Sequence, residues 1–141
     1  MPYEILSCPG TPVALFRMWD RFSADDGLAA YVDYVSRADY DPSRTMLTDA
    51  GAVTGIPANY RQVAVRVARL APVLATIPDG TRSVILAPRD HQFGMARMLA
   101  QVAGHVTPLD IHVTRDEVEA LVLAGCPDRD IAALATRLRQ G

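Results

Sequence analysis

Residues 81–116, TRSVILAPRDHQFGMARMLAQVAGHVTPLDIHVTRD, constrain the fold more than any other stretch. Two short apolar runs, 83–87 and 109–113, have the β-branched character of strands. Between them Met95, Ala96, Leu99, Val102 and Ala103 recur at helical spacing, with Asp90 as a candidate N-cap and Gly104 as a stop. Parallel strands need a crossover of this length, usually a helix. The stretch therefore predicts a βαβ unit within an α/β domain.

The flanking segments extend that unit. Residues 3–8 and 13–19 alternate as strands around the turn Pro9-Gly10-Thr11-Pro12, which predicts an antiparallel N-terminal hairpin. Ser23, Asp25 and Asp26 suit a helix start, and Leu28, Tyr31, Val32, Val35 and Ala38 should face the sheet. A third strand is expected over 45–49, followed by a loop over 50–55 and a helix entered through Pro57. That helix carries Tyr60, Val63, Val67, Leu70 and Leu74 on one face, and Pro72 should kink it or end it early. Short helices at 115–123 and 128–139, split by Gly125-Cys126-Pro127, complete the chain. The fold class is α/β: a mixed, mostly parallel sheet of about five strands, an N-terminal hairpin followed by βαβ units, packed with four to five helices. Residues 1–125 form the domain and 126–141 an amphipathic helical extension of it, free to dock on the domain or on a partner subunit.

Composition narrows the function classes. At 141 residues the chain suits one domain. A net charge of −2 gives no electrostatic case for nucleic acid or an anionic membrane. Arg61, Arg66 and Arg69 lie along one helix without interleaved aromatics, so they read as a solvated face. All fourteen basic residues are arginine, which excludes Schiff-base chemistry and a lysine general base. Cys8 and Cys126 are far apart and show no metal-ligand spacing, as expected of reduced thiols. With no signal-peptide pattern at 1–10 and no run of eighteen apolar residues, the expected location is the cytoplasm.

Three stretches carry a family resemblance: Leu47-Thr48-Asp49-Ala50-Gly51-Ala52-Val53-Thr54-Gly55; 87–98, which contains Gly94-Met95-Ala96-Arg97-Met98; and 112–121, which ends in Glu119-Ala120-Leu121. In their order and spacing they resemble the small bacterial SpoIIAA-like proteins of the STAS superfamily, the fold of anti-sigma-factor antagonists, most of which have no assigned function. The resemblance implies a regulatory, protein-binding scaffold. It also implies a phosphorylatable serine at the start of the helix after the third strand. Here that place holds Pro57-Ala58-Asn59-Tyr60, with Thr54 the nearest hydroxyl. SEC14-type lipid carriers are likened to the same group, but this chain is short for their enclosed acyl cavity.

Ligands of open α/β sheets bind beyond the carboxyl ends of the strands. The residues expected there are Asp49, Arg89, Asp90, His91, Arg115 and Asp116. An arginine beside a helix N-terminus could hold an anion, and His91 near Asp49 or Asp90 could act as an acid or base. Capping explains Asp90 and Asp116 equally well, and surface pairing explains the two arginines. No catalytic triad, HExxH, phosphate loop or dinucleotide motif is present, and no cofactor or metal is expected. Phe93, Arg97 and Met98 occupy a helix flank that is ordinarily polar, the composition of an interface between subunits. The leading expectation is a non-enzymatic interaction module, homo-oligomeric and most simply a dimer, with a protein partner. The alternatives are a binder of a small anionic ligand or lipid at the carboxyl edge, and an enzyme using His91.

Overall fold

A computed structural model describes residues 2–55, 59–107 and 109–141. The strands are β1 (Tyr3–Leu6), β2 (Val13–Arg21), β3 (Thr45–Gly55), β4 (Arg82–Leu86) and β5 (Asp110–Thr114). The helices are α1 (Ala24–Ser36), α2 (Tyr60–Leu74), α3 (Asp90–Ala103), α4 (Glu117–Leu123) and α5 (Ile131–Gln140). The strands form one sheet in the order β1-β2-β3-β4-β5, with β1 antiparallel to β2 and every later pair parallel. The mixed α/β sheet expected from the sequence is thus the sheet observed.

A sequential strand order fixes the layers. Crossovers of one hand that each step one strand in the same direction put α1, α2 and α3 on the same face. Ala14, Phe16 and Met46 meet α1 and α2 there, while Ile85 and Ala87 meet α3. The opposite face, through Val13, Leu15, Leu47, Val84 and Leu86, is covered by α4 and α5. Ile131, Leu134, Ala135 and Leu138 of α5 are all buried, so its apolar stripe is spent on this sheet rather than on a partner.

Several elements differ from their sequence expectation. The loop expected over 50–55 is the second half of β3. It is a strand because β2 is long enough to pair with it, Trp19 opposite Ala52 and Arg21 opposite Gly55, across two register shifts. On α1 the fully buried positions are Ala30 and Tyr34, with Leu28, Tyr31 and Val35 packed beside them, whereas Val32 is exposed and Ala38 lies exposed beyond the helix end. The tyrosines set that rotation: the rings of Tyr34 and Tyr31 lie 5.0 and 6.0 Å from that of Phe16 on β2. Helix α2 runs through Pro72 to Leu74, because a missing N–H in the last turn forfeits a single bond near a helix end. Its N-cap is Asn59, in a reciprocal capping box with Gln62; Pro57 and Ala58 lie outside the described residues.

One buried charge holds the amino end together. Arg44 is 3% exposed and donates to the carbonyl oxygens of Thr11, Asp39 and Cys8, tying the β1–β2 turn to the segment entering β3. No helix among the described residues is long and apolar enough to cross a membrane.

Candidate functional site

The carboxyl edge begins where β3 buckles. Oδ1 of Asp49 accepts from the Gly51 N–H at 2.9 Å, a local brace, and Arg17 on β2 stands 3.9 Å from Oδ2. A Cβ at Gly51 would stand 3.1 Å from that same oxygen, so a side chain there would have to push the Asp49 brace aside by a few tenths of an ångström. At the start of α3 the N-cap is Arg89, not Asp90. The Gln92 side chain accepts from the Arg89 N–H at 3.0 Å, and Asp90 is the first helical residue. Asp90 is free to pair with Arg115, whose hydrogen bond holds the Asp90 carboxyl below the usual carboxylate range. Both are on the surface, where such a pair contributes little. Arg115 also donates to the Pro88 carbonyl, and Asp116 caps α4 at the Val118 N–H.

All six expected residues therefore lie at this edge, yet the polar groups of Asp49, Asp90, Arg115 and Asp116 are directed at charged neighbours and at the backbone. Arg89 and His91 are exposed, and the His91 ring Nε2 is 3.3 Å from the Val53 carbonyl. The residue that organises the edge is one the sequence did not single out. Gln92 is 1% exposed, and its Nε2 donates to Val53 O at 2.8 Å and Gly51 O at 3.2 Å. It stitches α3 to the extended half of β3. It falls on the apolar stripe of α3, four residues before Ala96, and the carbonyls it meets lie 41 and 39 residues away in the sequence, so no local pattern marks it.

Phe93, Arg97 and Met98 come together in a surface groove of about 730 Å³ along α3, with Gly94, Gln101 and Val113 of the edge strand β5. The Phe93 ring is half-buried on Ile85, Ala87 and Ala96. Guanidinium carbons of Arg115 and Arg97 stand 5.1 and 5.8 Å from its centroid, within reach of a cation–π contact.

A second cavity lies beneath the edge, on the helical face. It is a partly enclosed cleft of about 140 Å³ between the sheet and α1, α2 and α3. The floor is Thr48, Ala50 and Val53 of β3 with Ile85 of β4. Leu28 and Tyr31 of α1, Val63 and Val67 of α2, and Met95 and Leu99 of α3 form the walls. Small residues explain why the space is open: Ala24, Gly27, Ala50 and Ala96 all border it, and their side chains do not bridge the gap between three helices. Burial pushes the Tyr31 hydroxyl up, partly offset by its contact with Ser83, so it stays a neutral group. The one charged side chain lining the cleft among the described residues is Arg66.

No family model matches the chain, and no curated protein matches it. Among solved structures, an uncharacterized protein of the DUF3478 family from Shewanella loihica PV-4, with a SpoIIAA-like fold, aligns at a TM-score of 0.51. The alignment covers 85% of this chain and 90% of that one at 16% sequence identity, a likeness of backbone and not of site. A five-stranded mixed sheet carrying its three crossover helices on one face, this chain has a SpoIIAA-like fold.

Proposed function

We propose that the protein binds a small apolar molecule, without catalysis, in the cleft between the sheet and α1–α3. The observation that carries this reading is the cleft itself: about 140 Å³ of space walled almost wholly by aliphatic, aromatic and thioether side chains. Binding sites for small molecules are concave and mostly apolar, with a few placed polar groups. An engineered apolar cavity of about 150 Å³ stays dry and takes up benzene, which sets the size of guest. Acid–base chemistry has little support: Tyr31 is neutral, Gln92 is committed to backbone, and His91 is outside the cleft lining.

The test is thermal stability with and without saturating toluene or 1-hexanol, in the wild type and in Gly27→Leu. Gly27 borders the cleft, and a Cβ there meets only Phe22 Cε1, at 3.6 Å, so the backbone has room for a larger side chain that would reduce the open space. The wild type should gain stability as a guest binds the native state alone, by about 2.7 kcal/mol at a hundred times Kd. Gly27→Leu should gain none. Equal behaviour of the two proteins, whether both respond or neither does, contradicts the reading.

The α3–β5 groove favours a second reading, self-association into a dimer. A half-buried aromatic with methionine and arginine around it is interface composition. Phe93→Asp should lower the mass measured by light scattering towards that of one chain while the fold persists. An unchanged mass removes this reading.

A further inference from the structure

We infer that the cleft's guest carries an anionic carboxylate at one end, held by Arg66, so that the ligand class is a short aliphatic or aromatic acid; this rests on the cleft being a binding site. Arg66 rises from α2 between the apolar walls, with its side chain 30% exposed, which places the guanidinium where the cleft meets solvent. Its neighbour is Asp25 of α1, whose side chain is 71% exposed. Asp25 Oδ1 comes within 2.6 Å of Nε but off the N–H direction. The Nε–H is buried and has no hydrogen-bond acceptor among the described residues. A guanidinium offers five donors in a planar fork that matches a carboxylate two bonds at a time. The surface carboxylate of Asp25 thus neutralises Arg66 in the free protein without using that geometry. A guest whose tail fills the apolar space brings a second carboxylate to the same fork, aligned from inside the cleft.

Chemistry and size both limit the ligand. With the walls apolar and one cation lining the cleft, a dianion would leave charge without a partner. The volume suits a tail near the size of one benzene ring and has no room for a diacyl lipid. Asp25 acts as a competitor: it must swing into water when the acid binds, which its exposure permits.

Hexanoate and 1-hexanol, matched in length, separate the head from the tail when titrated by calorimetry into the wild type, Arg66→Met and Asp25→Asn. The wild type should bind hexanoate about tenfold more tightly than 1-hexanol, the ratio given by about 1.4 kcal/mol. Arg66→Met should erase that preference, so that the two ligands bind with similar affinity. Asp25→Asn should tighten hexanoate alone. If 1-hexanol binds but the acid has no advantage, or keeps it in Arg66→Met, the assignment to Arg66 is overturned and the apolar site stands. If neither binds, the apolar site falls with it.

Discussion

At the scale of single residues, the structure rests on a few polar side chains used inside the molecule. Gln92 is the clearest, because it satisfies two carbonyls of β3 and one N–H of the α3 cap from a position with almost no solvent contact. Gln92→Leu keeps the volume and orphans those groups, and an unmet buried donor or acceptor costs about 1–3 kcal/mol. The expected result is a lower urea midpoint together with faster amide exchange across 50–55; unchanged exchange there would detach Gln92 from the extended strand. Neither Gln92 nor Arg44 was legible in the sequence. A polar residue within an apolar stripe, or an arginine after a turn, reads as solvated until its carbonyl partners are brought in by chain segments far away, Thr11 and Cys8 in the case of Arg44. Asp49, Asp116 and Ser23 were legible, because capping and Asx bracing depend on neighbours two or three residues away.

At the scale of elements, periodicity located the strands and helices, and pairing set their lengths. Ala50 to Gly55 has poor intrinsic strand character, yet the far half of β2 supplies a ladder for it and context overrides propensity. On α1 the expected Leu28, Tyr31 and Val35 do pack towards the sheet, whereas Val32 does not, because it is adjacent to Tyr31 and only Phe16 decides between them. The C-terminal helix shows what local signals leave open: its amphipathic pattern was plain, but whether the apolar side met this sheet or another chain was not. It meets this sheet, and Arg137 fastens it with two hydrogen bonds to Asp128, holding that carboxyl below its ordinary range. Leu134 is fully buried at the centre of this contact. Leu134→Ala should therefore destabilise the whole domain by about 2–5 kcal/mol in a single unfolding transition. A separate early transition for the helix would show α5 to be an independent appendage.

At the scale of the whole molecule, the two faces of the sheet are used differently. The face under α4 and α5 is closed by Leu, Val, Ile and Ala, and it holds Cys126, whose thiol burial pushes up to about 11. A thiol so displaced is almost wholly protonated at neutral pH and chemically quiet. The face under α1, α2 and α3 keeps space, because glycine and alanine border the point where three helices converge over β3. The carboxyl edge was the place to look, as the general rule for open sheets holds, but the rule points to a rim of charges where this chain has built an apolar hollow beneath it. Sequence periodicity could not show the hollow, since every wall residue lies in a stripe that reads as ordinary core. Diffraction from crystals pressurised with xenon examines it most directly, because xenon enters apolar voids and needs no polar partner. The expected result is a single strong xenon peak among Leu28, Val67 and Met95, lost in Gly27→Leu. A closed cleft, with those side chains in mutual contact and no xenon between them, would contradict the account.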